Sequence, residues 1–149
     1  MHNLKELYQE LIMDHNRNPR NFGTLECPSC QAKGYNPLCG DELSLYLNIN
    51  KDVIEQVRFK GRGCAISQAS ASLMTEALIG LSVSDAMHLF DLIHGLLTNE
   101  QFDMQQLSSM KLQVLAGVRA YPARVKCASL AWHTLVAALK HQSDAVQTE

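Results

Sequence analysis

Residues 41–60 read DELSLYLNINKDVIEQVRFK, and their alternation decides the fold. Leu43, Leu45, Leu47 and Ile49 occupy every second position among polar or half-polar neighbours. That is the period of a strand with one buried face. The run Asn48-Ile49-Asn50-Lys51-Asp52 carries turn residues, and Val53 to Lys60 resumes a β-type composition with Val57 and Phe59 on one side. Together they predict an antiparallel hairpin.

On the C-terminal side the period becomes helical from Ser67. Ala69, Leu73, Met74, Ala77 and Leu78 form an apolar stripe, and Gly80 stops it. Ser82 is suited to cap a further helix through about Leu97, with Val83, Ala86, Met87, Phe90 and Ile93 on one face. Residues 98–110 are polar and weakly periodic, consistent with a turn or a short helix, and Met110 to Val118 adds a further short helix. A last helix is expected to follow Cys127, through Leu130, Ala131, Leu135, Ala138 and Leu139. On the N-terminal side Leu4, Leu7, Tyr8, Leu11 and Ile12 predict an amphipathic helix ending near His15-Asn16, ahead of Pro19. Residues 23–40, rich in Gly, Pro, Ser and Asn, read as loop with one short strand. The expected class is α+β: a small antiparallel sheet of about three strands, with the N-terminal helix and several C-terminal helices packed on it. Residues 1–149 are expected to form a single domain, with 140–149 as a polar tail.

The chain is 46% hydrophobic and 19% charged, an ordinary globular balance. A net charge of −2 leaves no electrostatic footprint for nucleic acid. The first residues contain no apolar signal segment, and Leu135 to Leu139 is far too short to span a bilayer. A cytoplasmic protein that binds neither nucleic acid nor membrane is the expectation. Five cysteines cannot close a disulfide framework, so in a reducing compartment they read as metal or redox chemistry.

Three of the five sit where chemistry needs them. Cys39 lies in Pro37-Leu38-Cys39-Gly40-Asp41, a turn expected to be held by a strand on one side only, and hence the most mobile of the three. Cys64 lies between the hairpin and a helix start, and Cys127 is expected just ahead of the last helix. Free N–H groups at a helix N-terminus favour a thiolate, and the cations Arg62, Arg124 and Lys126 flank two of these thiols. Thiolates beside the Asp41 carboxylate suit a four-coordinate metal, either zinc or the iron of an iron–sulfur cluster. No histidine competes with Asp41: His133 faces away from Cys127, His88 and His94 belong to a solvated helix face, and His15 suits a helix-end cap. Cys27-Pro28-Ser29-Cys30 is a C-x-x-C pair open to two readings, plain loop cysteines or an auxiliary dithiol.

At these residues the chain resembles the SufU/IscU (NifU N-terminal) family of iron–sulfur cluster assembly proteins. The likeness runs from Tyr8–Ile12 and Asp14-His15-Asn16-Arg17-Asn18-Pro19-Arg20-Asn21 through Asn36-Pro37-Leu38-Cys39-Gly40-Asp41. It continues with Phe59 to Ser67 and Ala69-Ser70-Ala71-Ser72, and ends with Pro122-Ala123-Arg124-Val125-Lys126-Cys127. IscU-type members carry a His before the third cysteine, where this chain has Lys126, and a shorter spacer between the second and third cysteines. Both departures point to the SufU type. The resemblance implies zinc held by Cys39, Asp41, Cys64 and Cys127, and Cys39 accepting persulfide sulfur from a pyridoxal-phosphate cysteine desulfurase. It implies apo iron–sulfur proteins or downstream assembly factors as recipients. Two alternatives stay open: a scaffold holding a [2Fe–2S] cluster or iron on the same ligands, and a structural zinc module without transfer chemistry.

Overall fold

The computed structural model describes residues 3–141 and 146–148. Helix α1 (Leu4–Arg17) is followed by strands β1 (Cys30–Asn36), β2 (Asp41–Asn50) and β3 (Val53–Arg62). Helices α2 (Ala65–Leu78), α3 (Val83–Thr98), α4 (Met110–Val114) and α5 (Pro122–Leu139) come next, with 3₁₀ turns at Met104–Gln106 and Leu115–Ala120. A two-residue strand, β4 (Val146–Gln147), ends the described chain.

The hairpin forms as expected. Lys51 and Asp52, both with positive φ, turn the chain between Asn50 and Val53, and β2 pairs antiparallel with β3. Two consecutive left-handed residues match the right-handed twist of the strands they join. Leu43, Leu45 and Leu47 of β2 and Ile54, Val57 and Phe59 of β3 are buried on one face. That face is covered by α2 and α5, with Leu73, Leu78, Leu130, Trp132 and Leu135 among the buried side chains. Ser70 ties the two helices together: its hydroxyl donates to the Ala128 carbonyl at 2.6 Å and accepts the Trp132 indole N–H at 3.1 Å.

The structure extends the short strand expected within 23–40 and corrects the expected layout in two places. The loop-like stretch before Cys39 contains a full seven-residue strand, β1, paired with β2 from Cys30↔Leu47 to Asn36↔Asp41. Its Lys33-Gly34 centre has little intrinsic β preference. Pairing and α5 impose the strand, since a side chain at Gly34 would collide with Thr134 of α5. The last helix begins at Pro122, not after Cys127. Proline is pre-organised for the first helical position, so a segment that reads as loop is the first turn. Part of the polar tail is a fourth strand: β4 lies parallel to β1, pairing Gly34 with Val146 and Tyr35 with Gln147, in the order β3-β2-β1-β4.

The remaining helices follow local signals. Asn3 caps α1 by accepting from the Glu6 N–H at 2.8 Å, and Ser82 caps α3 by accepting from the Asp85 N–H at 3.0 Å. On α1 the buried residues are Tyr8, Ile12 and His15, whereas Leu4 is exposed. His15 does not cap the helix. Its ring is fully buried, with Nδ1 2.8 Å from the Ser72 hydroxyl of α2 and Nε2 3.6 Å from a Glu76 carboxylate oxygen. No helix among the described residues is long and apolar enough to cross a membrane.

Candidate metal centre

The alternation that buries the leucines of β2 also buries its first residue. Asp41 starts the inward row Asp41, Leu43, Leu45, Leu47 and is fully buried. By the same alternation Cys30, Ala32 and Asn36 of β1 point inward, and Asn36 lies directly opposite Asp41. Between them Pro37 to Gly40 make the β1–β2 turn. Gly40 has φ +70°, and the Cys39 N–H donates to the Asn36 carbonyl at 3.3 Å. A strand therefore anchors the Cys39 turn on both sides, not on one. Cys39 differs from the other two in exposure: it is half-buried, while Asp41 and Cys127 are buried.

Helix α5 brings Cys127 to this corner from below. Cys127 sits in the second turn of α5, completely buried, so no free helix-end N–H groups surround its sulfur. Cys39, Asp41 and Cys127 each place a ligand atom within 4.8 Å of the others. The two sulfurs are 3.3 Å apart, with Cys127 donating to Cys39. Asn36 Nδ2 donates to both neighbours, at 3.4 Å to Asp41 Oδ2 and 3.5 Å to Cys127 Sγ.

Cys64 reaches the group through its backbone. Its N–H donates to Asp41 Oδ1 at 2.8 Å. Its Sγ caps α2, accepting from the Ser67 N–H at 3.4 Å, as expected for a thiol at a helix start. Gly63 makes this approach possible: φ is +155°, and a Cβ there would collide with the Asp41 carboxylate. Three of the four expected ligands therefore converge directly, and the fourth residue is locked against them by its peptide.

Of the expected cations, Arg124 is at the site. Its Nη1 donates to Cys39 Sγ at 3.4 Å, and hydrogen bonding with Cys127, then the charges of Cys39, Cys64 and Cys127, raise its pKa. Arg62 is highly exposed and pairs with Glu42 at 3.0 Å. Lys126 is exposed, and its carbonyl accepts from the Ser129 and Thr148 hydroxyls. The two cysteines of the C-x-x-C pair have different surroundings: Cys27 is exposed in the bend before β1, while Cys30 is buried at the start of β1 with its thiol pKa raised by burial. Neither joins the three-residue group. His133 packs against Phe90 and His94, away from the cysteines, as expected.

The electrostatics fit a cation. Burial pushes the Cys127 thiol well up, followed by hydrogen bonding to Cys39 and Asp41 and then the charge of Cys64. Two sulfurs and a fully buried carboxylate crowd one point, which is unfavourable without a positive charge among them. Sulfur and carboxylate donors together suit zinc or iron. Cys39, Asp41 and Cys127 would hold such an ion directly, with Cys64 as the adjoining donor. Asn36 is the site residue that the loop-like reading of 23–40 left out. Only once β1 is a strand does alternation turn it inward.

The chain matches a family model described as the NifU-like N terminal domain over residues 7–128. A Bacillus subtilis protein named zinc-dependent sulfurtransferase SufU is 38% identical over 133 residues, covering 89% of each chain. A Thermotoga maritima protein named iron–sulfur cluster assembly scaffold protein IscU is 40% identical over 136 residues, covering 91% of this chain and 94% of that one. The crystal structure of a SufU-named protein from Fervidobacterium islandicum, described as a putative scaffold for the SUF system, superposes with a TM-score of 0.81 at 37% identity. It covers 87% of this chain and 94% of the other.

Proposed function

This chain belongs to the family of NifU-like N-terminal domains, and from that premise we propose that it works in iron–sulfur cluster assembly by accepting sulfur at Cys39. The donor is the persulfide of a pyridoxal-phosphate cysteine desulfurase, and the recipients are apo iron–sulfur proteins or downstream assembly factors. The observation that carries this reading is the convergence of Cys39, Asp41 and Cys127 within 4.8 Å, with Cys39 the member open to solvent. Zinc on these residues and Cys64, when bound, keeps the thiols deprotonated.

The chemistry asked of the chain is one displacement. The Cys39 thiolate attacks the terminal sulfur of the donor persulfide. A new S–S bond forms, the donor's S–S bond breaks, and the electron pair leaves on the donor's cysteine as a thiolate. Any proton on the terminal sulfur travels with it. Arg124, exposed beside Cys39, offers a positive charge to the incoming group. Buried Cys127 and Asp41 stay in place. Five cysteines without a disulfide suit a reducing, cytoplasmic setting.

Incubating the zinc-loaded full chain with a cysteine desulfurase and cysteine, without reductant, tests this. Peptide mass mapping should find the added sulfur on Cys39, and Cys39→Ser should abolish it. Sulfur found chiefly on Cys27 or Cys30, with Cys39→Ser still active, overturns the assignment. The 40% identical scaffold-named relative keeps a second reading in play, a [2Fe–2S] cluster assembled on the same donors. Anaerobic isolation separates the two: one equivalent of zinc with no visible absorption supports sulfur transfer, while a cluster spectrum supports the scaffold. A desulfurase whose turnover is unchanged by the chain would leave only a structural zinc module.

A further inference from the structure

Asn36 is 1% exposed, and its Oδ1 has no hydrogen-bond partner among the described residues. An unpaired buried acceptor is costly, and folding gains nothing from leaving it so. The other end of the same amide is fully used, with Nδ2 on Asp41 Oδ2 and Cys127 Sγ. The orientation follows from chemistry. Turned over, the amide oxygen would face the Asp41 carboxylate, an acceptor, and the Cys127 sulfur, whose S–H is already given to Cys39, and both N–H bonds would be lost. An apolar residue would satisfy the packing without stranding an oxygen.

We propose that Asn36 is a positioning residue of the metal centre, whose amide N–H groups fix Cys127 and Asp41 as permanent ligands and so leave Cys39 as the thiolate that departs. This rests on the reading of Cys39 as sulfur acceptor. An N–H···S bond occupies a sulfur lone pair, lowers that sulfur's nucleophilicity and sets its direction. Asn36 donates to Cys127 in this way, and among the described residues Cys39 receives no such buried amide bond. Apart from the Cys127 thiol itself, the side-chain donor on Cys39 is the guanidinium of Arg124, which is exposed. The β1–β2 pairing of Asn36 with Asp41 makes the arrangement rigid, since the donor and one of its acceptors share a rung of the sheet.

The test uses the zinc-loaded full chain and Asn36→Leu, which keeps the volume and removes both the N–H groups and the stranded oxygen. Asn36→Ser serves as a second, smaller replacement if the first folds poorly. Zinc transfer to a chromophoric chelator should speed up by about ten- to a hundredfold in the variants, the range for loss of a partner behind a metal ligand. Limited alkylation with iodoacetamide should label Cys39 ahead of buried Cys127 throughout, with the ratio of Cys127 to Cys39 labelling higher in the variants than in the wild type. In the cobalt(II)-substituted chain the sulfur-to-metal charge-transfer band should move to longer wavelength in the variants, a signature that general loosening of the fold does not produce. Wild-type zinc release, an unchanged Cys127-to-Cys39 labelling ratio and an unmoved cobalt band in folded variants would overturn the role of Asn36 alone. Sulfur mapped away from Cys39 in the wild type would instead overturn the reading of the acceptor, and with it the division of labour assigned to Asn36.

Discussion

Gly63 shows how narrowly the site is drawn at the level of single residues. Its φ of +155° lies where L side chains rarely sit, and a Cβ there would strike Asp41. Gly63→Ala should cost about 2–4 kcal/mol in urea unfolding, combining backbone strain of about 1–3 kcal/mol with the displaced carboxylate. It should also weaken zinc binding, because Asp41 would lose the Cys64 N–H. Stability within 0.5 kcal/mol of wild type, a rough bound for surface changes, would contradict the collision. Asp41→Ala tests the carboxylate itself. It removes a buried carboxylate from beside two sulfurs while taking the acceptor from two N–H groups, those of Cys64 and Asn36, so the effects on the metal-free fold partly cancel. The expected outcome is a metal-free melting temperature shifted by only a few degrees, about the size of 1 kcal/mol, with zinc release faster by tenfold or more. Unchanged release with a collapsed melting temperature would make Asp41 structural.

Between elements, the joint of α1 with α2 carries a titratable group. His15 of α1 is fully buried against Ser72 of α2, and its pKa is lowered by burial first and then by the Arg20 charge, against the opposing pull of Glu76. His133 of α5 is lowered too, by burial and then by His94. A lowered folded pKa means that the unfolded chain takes up the proton first as pH falls. The contribution is therefore complete above about pH 6.5 and is lost as pH drops from there through the folded value. Urea unfolding at pH 7.5 and 5.5 should show lower stability at 5.5, each histidine adding at most about 1.4 kcal/mol per pH unit. In His15→Gln the slope should flatten. An identical slope in that variant would place the titration elsewhere. Asp14, held low chiefly by its hydrogen bond to Arg20, acts only in more acid solution, where its protonation likewise lowers stability.

Over the whole molecule, the candidate ligands come from the β1–β2 turn, the start of β2, the N-terminus of α2 and the second turn of α5. A metal bound there ties the sheet to both helices that cover it, so binding energy becomes folding energy. Chelation should lower the melting temperature, by about 3 kcal/mol of stability for free metal at a hundred times its dissociation constant. The same treatment of Cys127→Ser should leave its melting temperature where it was, and an equal drop there would dissociate the effect from this site. The sequence alone carries the β2–β3 hairpin, the cap at Ser82, the order of the helices and the candidate ligands. Each of these is written in a local period, in a capping residue, or in a short motif whose spacing is covalent. The tertiary structure set the length and bounds of the short strand expected within 23–40, began the last helix at Pro122 with Cys127 buried inside it, and paired part of the tail with β1. It also decided that Arg62 pairs with Glu42 while Arg124 meets the sulfurs. In each of these cases the partner lies far along the chain, and burial or pairing overrides a weak local preference. Asn36 is the sharpest instance: its neighbours in sequence say turn, and its role depends on Asp41 across the hairpin and Cys127 from α5.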